Sequence, residues 1–305
     1  TRLLSRLRTT LDIDLPVRTF FEAPTPAALT TRINGQATKS TAFNPVLPLR
    51  PEGDKSAVFL IHPGSGLSWS YLGLLKHIGR GRPVYALQAP TLTARDSTYD
   101  SLGELAQRYA DLIQGIQPRG QYHLVGWSFG GLTAHQVAQC LQEQGREVGL
   151  LAVLDGYPVP PEKAASALDD HVLLEAALSG IRGRETSEHE MPSNTSAVLD
   201  LVRSSSPAFL DLGDDEILNL VATAKTNVRL MTEHRPGAFR GDMTLFRAAR
   251  GGLDAATVRS VWLPQLSGQL TVIDVDCSHY QMMDPEPLSI IGPALNAELQ
   301  TFDRP

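Results

Sequence analysis

The stretch YHLVGWSFGGLTAHQVAQCL, residues 122–141, constrains the fold more than any other part of this sequence. An apolar run, Tyr122 to Val125, passes without a spacer into Gly126-Trp127-Ser128-Phe129-Gly130-Gly131. Leu132, Val137, Cys140 and Leu141 then follow at a spacing that suits a helix, with Gly145 as its stop signal. The run reads as a short buried strand, so the chain must turn sharply from strand to helix within the glycine-rich stretch. Glycine permits such a turn, and it leaves Ser128 exposed at the strand's carboxyl end with a helix N-terminus behind it. A serine at that corner is either a helix cap or a nucleophile.

The same alternation runs along the chain from about Val46. AVFLIHP (57–63), PVYALQAP (83–90), GLLAVLDGYP (149–158), DMTLFRAAR (242–250) and QLTVIDVD (269–276) read as strands. A helix is predicted from about Ser101 to Ile116, and PLSIIGPALNAELQ (287–300) reads as the last one. Strands alternating with helices predict an α/β fold around a mainly parallel sheet. A chain of 305 residues allows one such domain and a small appendage. The net charge of −6, with no Lys/Arg stripe, argues against a nucleic-acid partner. No apolar window is long enough for a membrane span, and the first residues carry no apolar signal core. Cys140 and Cys277 are too few for a disulfide framework or a clustered zinc site. A cytoplasmic protein with reduced thiols and no bound metal is the expectation.

Gly126-Trp127-Ser128-Phe129-Gly130 fits G-x-S-x-G at the strand-to-helix corner where that pattern has a mechanical meaning. A serine hydroxyl needs a base. Of the histidines, His123 and His135 fall inside the strand and helix around Ser128, and His171, His189 and His234 fall in a long insertion. His279 follows the last strand, where a loop can carry an imidazole over the serine. A third group must fix the imidazole tautomer. Asp155 ends a strand, and strand ends in such sheets share one rim. Asp254, after the next strand, is the rival position, and Asp274 and Asp276 look like strand-edge residues. The order Ser, Asp, His is that of α/β-hydrolases. Two backbone N–H donors would serve the oxyanion: Phe129, directly after the serine, and one from the glycine-rich loop IHPGSGLSW (61–69), with Ser65 first and Gly66 next. His62 is expected to pack or brace that loop.

Taken together, FLIHPGSGLSW, LVGWSFGG, AVLDGYP and VDCSHYQMMDPEPL resemble the C-terminal type I thioesterase domain of nonribosomal peptide synthetases over roughly residues 46–300. The resemblance implies an α/β-hydrolase fold and a catalytic triad of Ser128, Asp155 and His279. It also implies an oxyanion hole from Ser65 and Phe129, with no cofactor bound by the thioesterase itself. The substrate would be a peptidyl thioester on the phosphopantetheine of an upstream peptidyl carrier domain, one of several synthetase modules acting as partners. The product would leave by macrocyclisation or hydrolysis, as in antibiotic biosynthesis. A stand-alone editing thioesterase, a small-ester hydrolase and a non-catalytic docking scaffold are the competing readings.

Residues 1–33 pattern as two short helices and resemble the second half of a peptidyl carrier domain. The carrier's phosphopantetheine-bearing serine would lie just before Thr1. Residues 34–45 are polar, aperiodic and Pro-containing, which predicts a linker, and residues 46–305 form the thioesterase. The insertion, about 157–238, is too long for a simple connection and is expected to form a lid. DDHVLLEAALSGI (169–181) and GDDEILNLVATAKTNVRLM (213–231) predict its helices, and RGRETSEHEMPSNTS (182–196) between them is expected to be mobile.

Overall fold

The computed structural model describes residues 42–94 and 98–303, with isolated positions 19, 29 and 30. The expectations for residues 1–33 and for most of the linker lie outside the described residues. The strands that pattern predicted are present: β2 Val58–Ile61, β3 Val84–Leu87, β4 Tyr122–Trp127, β5 Val148–Leu154, β6 Met243–Ala248 and β7 Leu270–Val275, preceded by β1 Val46–Arg50. They form a sheet of order β1-β3-β2-β4-β5-β6-β7. Only the β1–β3 pairing is antiparallel among these neighbours. β1 carries Pro48 at the sheet edge, where a missing N–H breaks no inner ladder. Residues 42–45, the end of the predicted linker, dock on the domain: Ala42 is buried, and its carbonyl accepts from Trp69 Nε1 and Gln88 Nε2.

Strand alternation splits the core into two layers. Phe59 and Ile61 of β2 face one side with Leu124 and Leu151, under α1 (Leu102–Ile116) and α2 (Phe129–Glu143). Val58 and Leu60 face the other side with Val125 and Leu150, where Leu288, Ile291, Leu295 and Leu299 of α8 (Pro285–Thr301) cover them. Both faces of β2 and β4 are buried, which is why those strands read as continuous apolar runs rather than alternating ones.

The insertion between β5 and β6 holds α3 (Pro161–Ala167), α4 (Asp170–Arg182), α5 (Thr195–Ser205) and α6 (Asp214–Glu233). The second and fourth were predicted, with Asp169 capping α4 through His171 N–H. The segment 182–196, expected to be mobile, is irregular over most of its length and holds a capping-box turn at Ser187–Glu190. Arg182 and Arg184 both pair with Glu190 there. Those ion pairs satisfy a polar stretch that has no apolar period to read. Short α7 (Ala255–Trp262) follows β6.

Candidate active site

Ser128 sits where β4 ends and α2 begins, at φ 57° and ψ −124°. This is a left-handed conformation that costs a non-glycine residue of order 1–3 kcal/mol. The turn survives because its neighbours lack side chains. A Cβ on Gly126 would stand 1.9 Å from Gly130 O, and one on Gly130 would stand 2.2 Å from Ile61 O. Both clashes are with backbone, so no rotamer change relieves them. The Ser128 side chain makes no capping hydrogen bond, although a cap was the alternative role for a serine here. Its Oγ lies 3.0 Å from His279 Nε2.

His279 opens a short turn, His279–Gln281, just beyond β7. Its Nδ1 lies 2.7 Å from Asp155 Oδ2. A carboxylate accepts only, so Nδ1 carries the proton and Nε2 presents its lone pair to Ser128. Trp127 and Tyr280 flank the ring, with centroids 5.6 and 5.2 Å away. Asp155 lies at the end of β5, the neighbour of β4, at φ 46° and 4% exposed. Its second oxygen accepts from Ala248 N–H at 2.9 Å and from Tyr157 O–H at 2.5 Å. Burial, and then the Asp155 charge, push the Tyr157 pKa up, so that hydroxyl remains a donor. Tyr157 was not foreseen. It follows Asp155 by two residues, but no general pattern marks such a tyrosine.

The rival acids have other partners. Asp254 is exposed and caps α7, accepting from Ala256 and Thr257 N–H. Asp274 pairs with Arg247, and Asp276 with Arg250. His123 and His135 are buried, and burial lowers both to about 4, so they remain neutral. Burial raises the Cys277 thiol to about 11, with Asp155 adding to the rise, so it does not compete as a nucleophile.

The loop after β2 is braced from within. His62 is fully buried, and burial lowers its pKa to about 4. A neutral ring has one N–H, and the Pro63 carbonyl, 2.8 Å from Nδ1, requires it there. Tyr109 O–H then donates to Nε2 at 2.6 Å. Pro63 O also accepts from Gly66 N–H at 3.0 Å. The His62 ring stacks on Phe129, centroids 5.5 Å apart.

A cavity of about 790 Å³ opens over Ser128. Its floor is Pro63, Gly64, Phe129 and His279, and its roof includes Val172, Gly180 and Val228 of the insertion. Phe129 is the first residue of α2, so its N–H has no acceptor within the helix. Ser65 is buried and is not itself on the cavity wall. A Cβ on the wall residue Gly180 would nevertheless lie only 3.8 Å from Ser65 N. A second cavity, about 430 Å³, reaches Ser128 and His279 from the side of Asp155 and Tyr157. The two share Met231 as well.

Residues 56–295 match the thioesterase domain family. The chain belongs to that family. It is thereby a serine hydrolase-type enzyme of α/β-hydrolase fold. Over 305 residues this thioesterase domain is 37% identical to a dimodular nonribosomal peptide synthase of Bacillus subtilis, matching 99% of this chain and 13% of that protein. It is 32% identical to malpibaldin synthetase of Mortierella alpina, over 98% of this chain and 5% of the synthetase. The thioesterase domain therefore spans only a small part of the relatives it matches. Among solved structures it resembles the NocB thioesterase domain in covalent complex with a fluorophosphonate nocardicin G analog. That likeness has TM-score 0.60 and 27% identity, covering 83% of this chain and 99% of that one. Among the described residues no helix is long and apolar enough to cross a membrane.

Proposed function

We propose that this thioesterase domain releases a peptidyl group from a carrier-bound phosphopantetheine thioester, through an ester on Ser128. The observation that carries the reading is the hydrogen-bonded chain from Ser128 Oγ through His279 to Asp155, set at a strained turn beneath a cavity of about 790 Å³. His279 Nε2 takes the Ser128 proton as Oγ attacks the thioester carbonyl. Asp155 holds the tautomer that makes this possible and stabilises the imidazolium that forms. The Phe129 N–H and a loop N–H, from Ser65 or its neighbour Gly64, receive the developing oxyanion. Collapse expels the pantetheine thiolate, which His279 reprotonates, and leaves the peptidyl ester. Water, or an amine or hydroxyl of the peptide itself, then attacks that ester with His279 again acting as base. The products are a free acid or a macrocycle.

The carrier domain and further synthetase modules enter as partners through the similarity to synthetases and through the carrier-like pattern of residues 1–33. The insertion acts as a lid: α4 and α6 roof the cavity with Val172, Val228 and Met231, and so limit water at the ester. The test is intact-protein mass after incubation with a peptidyl thioester, beside turnover of the same substrate. The parent gains the acyl mass at Ser128 or releases product. Ser128→Ala does neither and keeps its fold, and Ser128→Cys still acylates. Turnover by Ser128→Ala near the parent rate would overturn the assignment.

A further inference from the structure

To serve an oxyanion the loop at residues 62–67 must present the Ser65 N–H to the cavity, yet the peptide that carries it has little of its own to hold it there. A Cβ added at Gly64 would meet nothing within 4 Å. Glycine rotates its flanking peptides at low cost, so the Gly64–Ser65 peptide has no local reason to keep one orientation. Neither Gly64 N–H nor Ser65 N–H donates to a protein acceptor among the described residues. The body braces the preceding peptide, through His62 and Gly66 on Pro63 O, but not this one.

The brace for the second peptide comes from the insertion. Asn219, Thr223 and Asn227 recur every fourth residue on α6 and face the body as one polar row. Asn219 Nδ2 donates to Thr91 O and Leu92 O at 3.0 and 3.1 Å, and Thr223 Oγ1 meets Thr91 Oγ1 at 2.9 Å. Asn227, 3% exposed, donates its Nδ2 to Gly64 O at 3.0 Å. A carbonyl only accepts, so the amide must present its NH₂ there. The helix sits hard against the loop: a Cβ on Gly66, at φ 85°, would lie 2.8 Å from Thr223 Cγ2.

We propose that Asn227 is a positioning residue for the Ser65 N–H, the loop donor of the oxyanion hole. It fixes the Gly64 carbonyl. In a planar trans peptide the Ser65 N–H points the opposite way from that carbonyl, so holding one orients the other. Alignment of that donor therefore depends on the seat of α6, the helix that also roofs the cavity with Val228 and Met231. An acyl chain that packs well against α6 favours the aligned loop, and one that displaces the helix loosens it. This inference rests on the proposed function, since it assigns a support to that oxyanion hole.

The experiment compares Asn227→Asp, which keeps the shape but removes the donor, with Asn227→Ala. Asn219→Ala is the control: it loosens α6 elsewhere and leaves Gly64 alone. Two quantities are read on folded protein, the rate of Ser128 phosphonylation by a fluorophosphonate and kcat and KM for a peptidyl thioester. Removing an oxyanion donor outright costs about 10²–10³-fold, so misaligning one is expected to lower kcat and phosphonylation together by about 10–100-fold, with KM near the parent value. Asn219→Ala stays within about threefold on the same scale. Should the buried carboxylate of Asn227→Asp prevent folding, Asn227→Ala carries the test. Parent-like phosphonylation of the Asn227 variants, a change in KM alone, or an equal loss in Asn219→Ala overturns the inference. A parent that is not phosphonylated at Ser128 overturns the functional reading beneath it.

Discussion

Replacing Asp155 by asparagine is the sharpest probe of the site, because the structure dictates which way the amide will face. Oδ1 of Asp155 accepts from Ala248 N–H and Tyr157 O–H, while Oδ2 accepts from His279 Nδ1. In Asp155→Asn one oxygen becomes NH₂. Turned toward Ala248, that group opposes a fixed backbone donor; Tyr157 can reverse its hydroxyl, but Ala248 cannot. The orphaned donor costs about 1–3 kcal/mol, so the amide carbonyl faces Ala248 and the NH₂ faces His279 by roughly 5- to 150-fold. Nδ1 must then accept, which moves the imidazole proton to Nε2, where it points at Ser128 and cannot take the serine proton. The negative charge that stabilises the imidazolium is lost as well. The wrong tautomer and the lost charge together give a loss of about 10³–10⁴ in kcat. The assay is thiol release from an acyl thioester, with thermal melts to confirm the fold. Asp254→Asn, which touches only a helix cap, should stay within about threefold. Turnover of Asp155→Asn within tenfold of the parent, or a collapse in Asp254→Asn instead, would refute the reasoning.

The remaining predictions concern the turn, the core and the insertion. Gly126→Ala should leave no folded protein in urea titrations, because its Cβ overlaps Gly130 O, whereas Gly115→Ala, with open space around it in α1, should stabilise by about 0.5–1 kcal/mol. His62, His123 and His135 are held near 4 by burial, against about 6.5 in the unfolded chain, so the unfolded state binds more protons between those values. Their contribution is complete above pH about 6.5 and is lost as pH falls toward 4, so the urea midpoint should be lower at pH 5 than at pH 7, and an equal midpoint would contradict it. If the insertion is a lid, acylation with a non-releasable peptidyl mimic should raise amide protection within residues 165–235, and a change confined to the loops at Ser65 and Ser128 would exclude it.

Much of this molecule was legible in local sequence. The strand-to-helix turn could be read because its requirement is local: glycines at Gly126 and Gly130 where any Cβ meets backbone, and an apolar run on one side with a helical period on the other. The order of strands and helices, and a histidine in the loop beyond the last strand, follow from periodicity in the same way. So did the helices at 170–182 and 214–233, because each has an acidic first turn and an apolar stripe. The capping-box turn within 182–196 was not legible for a related reason. That turn pairs Arg182 and Arg184 with Glu190, eight and six residues away, and charge pairing leaves no mark on a hydropathy pattern.

What the residues alone left open was which partners meet. Asp155 and Asp254 both follow strands. Only the sheet order, with β5 beside β4, brings the first to His279, while the second turns to cap α7. Tyr157 on Asp155, Tyr109 on His62 and Asn227 on Gly64 are likewise products of assembly, the last joining residues 163 positions apart. Such contacts carry no local signal because nothing within a few residues demands them. A backbone turn is fixed by sterics between neighbours, but a hydrogen bond across the fold exists only after burial has chosen which strands pair and which helix faces turn inward.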